Sequence, residues 1–182
     1  MLGHLIQLEA RQLKQTIPPG REQFRDYENA VRIIFGYLFR GELGEGKAQS
    51  RTAPKNEGVE IRDVIFANLA DSGFWKDLKD KYSVSEVVVD AKNTEDITRE
   101  DLRQLYCYLK PALGFWGLIV SRSPPSDSMQ AFNRTLCKNF RQERGVLILC
   151  EDDLRRMVEI KNRGTNPAAY LQERMSEFIR SL

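Results

Sequence analysis

Asp90 and Lys92 stand two residues apart at the charged end of an otherwise apolar, β-branched run, SEVVVDAKN (85–93). On a strand that spacing puts both side chains on one face, together with Val88. A second acid, Asp63, interrupts another apolar stretch, VEIRDVIFAN (59–68), where Val59, Ile61 and Ile65 share its face. A carboxylate among apolar neighbours is costly to bury unless something neutralises it. If the two strands pair, Asp63 and Asp90 converge, and two close anions repel unless a cation lies between them. Mg2+ suits such a place, because it takes one or two carboxylates, keeps several waters and binds phosphate. Phosphodiester hydrolysis uses that combination, with Lys92 orienting the attacking water or balancing developing charge. The plainer alternative is an exposed Asp90–Lys92 pair at a strand end, with Asp63 bridged to Arg62.

Other chemistries are narrowed by composition. The only histidine is His4, near the start, so Ser-His, Cys-His and His-ligated zinc arrangements have no partner elsewhere. Cys107, Cys137 and Cys150 lack metal-ligand spacing and read as reduced thiols of the core, which implies an intracellular, cytoplasmic protein. No apolar run reaches the roughly 18 residues of a membrane span, and the first residues lack the pattern of a signal peptide. A formal charge of +2 neither requires nor forbids a polyanionic partner.

The elements that must position these residues follow from periodicity. Helices are expected over 3–16 and 21–40, the latter on Phe24, Tyr27, Val31, Ile34, Phe35 and Leu38, with Gly41 as its stop. A weak strand near 47–53, the strand 59–68, a helix over 72–82 and the strand 85–93 come next. Thr98 opens a helix with Asp101 as its capping partner, and Ile97 and Leu102 form a hydrophobic staple. Strands over 114–122 and 145–150 alternate with helices over 128–143, 151–162 and 167–181. This order predicts one α/β domain over 1–182, its core at 21–150, built on a mixed β-sheet flanked by helices.

The stretch from EIRDVIFAN through SEVVVDAKN to GLIVSR resembles the catalytic core of the PD-(D/E)xK nuclease superfamily, the restriction-endonuclease-like fold with an αβββαβ core. It is closest to nuclease domains of bacterial restriction and anti-phage defence proteins. The resemblance implies catalytic and metal-binding roles for Asp63 and Asp90, the Ala91 carbonyl as a further ligand, and a catalytic Lys92. It also implies an acid on the preceding helix, Glu28, with Glu22 as the competitor, and a Gln on the following helix, Gln104. Arg62 stands where many members have proline, and Asp90 where Glu is commoner. The implied activity is Mg2+-dependent cleavage of DNA, with Mn2+ able to substitute, by an endonuclease acting on double strands. The implied setting is a homo-oligomer or attachment to a larger recognition or regulatory protein. A fold-retaining module that binds nucleic acid without cutting it is the alternative.

Residues expected to touch substrate are Arg122, at the end of the neighbouring strand, Asn93, just after the triplet, and Arg134 and Lys138 on the helix over 128–143. Arg134, Lys138 and Arg141 share helical spacing and could line a phosphate backbone, or simply form a solvated face. GELGEGKA (41–48) imitates a phosphate-binding loop but has Ala48 in place of Ser/Thr, follows a helix, and carries Glu42 and Glu45; it reads as a turn. Trp75, Phe74 and Trp116 are expected in the core.

Overall fold

The computed structural model describes residues 17–20, 23–51, 61–141 and 143–182. The helix expected over 3–16 lies outside the described residues, as does Glu22. The chain forms α1 (Phe24–Leu38), β1 (Lys47–Arg51), β2 (Ile61–Ala67), α2 (Gly73–Tyr82), β3 (Glu86–Ala91) and α3 (Arg99–Tyr108). It continues through β4 (Trp116–Ser121), α4 (Asp127–Asn139), β5 (Gly145–Cys150), α5 (Glu151–Asn162) and α6 (Ala168–Arg180).

The five strands make one sheet in chain order. The pairings β1–β2 and β2–β3 are antiparallel, and β3–β4 and β4–β5 are parallel, so β2 alone runs against the others. Parallel neighbours need a crossover, and α3 and α4 supply the two. β3 is therefore central, and its apolar residues divide by alternation. Val87 and Val89 pack with α1, α2, α5 and α6, whereas Val88 packs with α3 and α4. Helices thus cover both faces, which is why β3 reads as a continuous apolar run rather than an alternating one. Trp75, Phe74 and Trp116 sit in the first of these layers. Among the described residues, no helix is long and apolar enough to cross a membrane.

Two expectations change. Cys137 and Cys150 are buried, but Cys107 is on the surface, because it follows the buried Tyr106 on the solvent side of α3. The helix expected to reach 143 stops at Asn139. Arg141 takes a left-handed φ of 54° there, Phe140 stacks on Tyr106 with 5.5 Å between ring centroids, and Arg144 turns back over Phe140. The basic row is broken accordingly, and Arg141 falls outside the helix. Gly46, in the link from α1 to β1 that reads as a turn, lies against Phe66, where a Cβ would be 2.5 Å from the ring.

Candidate functional site

Asp63 and Asp90 are direct partners in the β2–β3 ladder. Two residues along, Ile65 pairs with Val88, and both pack in the α3–α4 layer. Alternation puts Asp90 on that same face, at the carboxyl end of the central strand. The ladder continues one step past β3, where the Lys92 N–H donates to the Val120 carbonyl at 2.8 Å. Lys92 therefore keeps strand geometry and returns to the Asp90 face.

The pair is formed but is not an exposed strand-end pair. Asp90 is only 6% exposed, and the Lys92 ammonium lies 3.0 Å from its Oδ2. Burial pushes the Asp90 carboxyl up to about 6, against the pull of Lys92, and the charges of Asp101 and Glu28 add to the rise. Glu28 is also buried, at 6% exposure, on the inward stripe of α1 with Tyr27 and Val31.

Lys92 has a second carboxylate. Asp101 Oδ1 lies 3.2 Å from the ammonium, while its Oδ2 accepts from the Thr98 N–H at 2.8 Å and from the Thr98 hydroxyl at 2.7 Å. The Asp101 N–H in turn donates to Thr98 Oγ1 at 3.1 Å, completing the capping box. One carboxylate thus caps α3 with one oxygen and holds Lys92 with the other. Burial works against the Lys92 ammonium, but Asp90 and Asp101 outweigh it and raise its pKa. For Asp101, burial raises and the bonds from Thr98 and Lys92 lower, with a net lowering. The sequence assigned Asp101 the cap alone. Its second task was signalled by the short link from Lys92 to Thr98, which obliges the first turn of α3 to start beside the end of β3.

Gln104 lies three residues beyond Asp101 and is half-buried. Among the described residues, the groups that hold the Lys92 ammonium are Asp90 and Asp101. The donors suit a hard divalent ion in kind: two buried carboxylates, Asp90 and Glu28, with Asp63 at the opposing ladder position. Among the described residues, no group of three or more His, Cys, Asp or Glu is placed to hold a metal. Ala91, wholly buried, ends β3 between the two charged residues.

Asn93 and Arg122 are placed differently from the expectation that they meet substrate. Asn93 Nδ2 donates to the carbonyls of Pro18 (3.1 Å) and Gly20 (2.9 Å), and its Oδ1 accepts from Arg122 Nε at 2.8 Å. Arg122 is 2% exposed; it also reaches the Ile17 carbonyl, lies 3.1 Å from Glu151 Oε1, and covers the Tyr27 ring at 4.8 Å. Both residues are built into the packing that ties segment 17–20 beneath the strand ends. Their polar groups bond protein groups.

Arg134 and Lys138 are not brought to the Asp90 end. α4 begins beyond the end of β4 and runs back, and Asn133 already bonds the carbonyl of Val146 near the start of β5. Arg134 borders a depression with Arg174, Glu177 and Phe178, and Lys138, further along, is exposed.

No family model matches the chain, and no solved structure matches it significantly. It is similar to a protein of Escherichia coli (strain K12) described as "Putative transposon gamma-delta 80.3 kDa protein", with 34% identity over 110 residues. The match takes in 58% of this chain and 15% of that protein, so the chain spans a small part of that relative's length.

Proposed function

We propose that the chain is a metal-dependent nuclease domain of the restriction-endonuclease-like type, cutting phosphodiester bonds within double-stranded DNA, of the bacterial restriction or defence kind. The observation that carries this reading is the direct pairing of Asp63 with Asp90 beside the buried Asp90–Lys92 ion pair. Asp63, Asp90, the Ala91 carbonyl and Glu28 would hold Mg2+, with Mn2+ able to substitute. Bound there, the ion polarises the phosphoryl group and acidifies its water. Lys92 orients the attacking water and balances charge on the phosphoryl oxygens, in a site where burial strengthens electrostatics. Gln104, on the helix that carries Asp101, completes the polar side of the site. On this reading the unit would be attached to a larger recognition or regulatory portion, or act as an oligomer; a match to 15% of an 80.3 kDa protein is compatible with a part of a larger protein.

The test is nicking of supercoiled plasmid by the purified protein with Mg2+ and with chelator. Asp90→Ala and Lys92→Ala should each abolish nicking while DNA binding survives. Undiminished nicking by both variants would show the site to be misassigned, and binding without cleavage by the wild type would make the chain a silent binding module.

A further inference from the structure

We infer that Asp101 is the positioning residue for Lys92, a fixed post that keeps the ammonium over the site once Asp90 is engaged by a cation. This rests on the nuclease reading above. In the structure Lys92 divides its contacts between Asp90 at 3.0 Å and Asp101 at 3.2 Å. A divalent ion at Asp90 competes with the ammonium for the same oxygens, and Asp101 is then the remaining anion. A lysine left to itself has wide rotamer freedom and would sample solvent. It would also be repelled from this place, because the amino end of α3 bears the positive end of the helix dipole. Only a carboxylate standing in that first turn makes the place favourable for a cation.

Asp101 is suited to this by its own restraint. Two hydrogen bonds to its Oδ2, from the Thr98 N–H and hydroxyl, orient the carboxylate and leave Oδ1 for Lys92. Gln104, the helix residue the sequence resemblance singles out, has no charge with which to hold an ammonium. The start of α3 and the reactive lysine are therefore one mechanical unit, joined through one side chain.

The experiment uses three variants of the full chain and two readouts. In metal-free protein, acylation of Lys92 by an amine reagent is followed by mass spectrometry, with exposed Lys110 as internal reference. In Mg2+, the kcat and KM of plasmid nicking are measured. Asp101→Asn keeps a capping side chain but loses the charge; it should raise Lys92 labelling several-fold and lower kcat about tenfold or more, with KM little changed. Asp101→Glu, which retains both charge and a capping-box residue, should restore both readouts. Thr98→Ala loses the hydroxyl and weakens the cap but keeps the backbone N–H bond to Asp101 Oδ2 and the ion pair, so it should lower Tm while Lys92 labelling stays within about twofold of wild type. Wild-type labelling and kcat in Asp101→Asn would overturn the inference. So would a Thr98→Ala change as large as that of Asp101→Asn, which would make the effect one of helix folding. If the wild type does not nick at all, the nuclease reading fails, while the labelling series still decides whether Asp101 holds Lys92.

Discussion

Asp63 of β2 and Asp90 of β3 occupy opposing positions of one antiparallel ladder, next to the opposed apolar pair Ile65 and Val88. In such a ladder, like charges directly across from each other destabilise the sheet. The chain tolerates the arrangement beside a half-buried cation, Lys92, and a second cation there should be welcome.

Mg2+ should therefore stabilise the fold. At about 100 times its Kd, a ligand specific for the folded state contributes about 2.7 kcal/mol. For a domain of this size that is a rise in Tm of about 5–10 °C. Thermal melts in Mg2+ and in chelator should show the rise in the wild type and its loss in Asp63→Asn and in Asp90→Asn. An equal rise in both variants would place the ion elsewhere.

Stability without metal should depend on pH in a way traceable to Asp90. Burial, reinforced by Asp101 and Glu28, puts its carboxyl at about 6 in the fold, against about 3.9 in an unfolded chain. Between those values the folded state binds more protons than the unfolded one, so stability falls as pH rises, and the penalty is complete above about pH 6. Asp101, shifted down, has the opposite sign, and its contribution is present above about pH 4 and lost as pH falls below. Urea midpoints in chelator should decline from pH 4 to 7 in the wild type and decline less in Asp90→Asn. Parallel curves for the two proteins would remove Asp90 as the cause. The Mg2+ rise should also shrink below about pH 6, where protons compete for the same oxygens.

The strands and helices were legible because their signals are local. The apolar run at Val87–Val89 marks a strand covered on both faces, and Thr98 with Asp101 marks a helix start, as the structure shows. The Asp90–Lys92 pairing was legible for the same reason, being a matter of period two. What escaped the sequence depended on long-range placement. The end of α4 is set by Phe140 meeting Tyr106 from another helix, and no local pattern announces that. The exposure of Cys107 depends on which side of α3 the second layer covers. Asn93 and Arg122 looked like ligand contacts because polar residues at strand ends often are; only their meeting with Pro18, Gly20 and Glu151 reveals a structural role.

That role has its own test. The Arg122 and Glu151 side chains are 1% and 2% exposed, with 3.1 Å between Nη1 and Oε1. Removing one partner of a buried pair leaves an uncompensated charge and costs about 3–5 kcal/mol, whereas exposed pairs are worth about 0–1 kcal/mol. Arg122→Met should therefore lower chemical stability severely, and adding Glu151→Gln should recover part of the loss, because the second change removes the stranded charge. Arg122→Lys, which keeps the charge but not the planar fork that reaches Asn93 and Ile17, should fall between them and remain folded for binding work. A residue touching backbone phosphate behaves otherwise. Its loss weakens DNA binding across sequences and reduces the slope of log affinity against log salt by about one. Anisotropy titrations of Arg122→Lys and of the double variant over a salt series should show the wild-type slope. A reduced slope in the double variant, with little change in stability, would return Arg122 to the substrate surface.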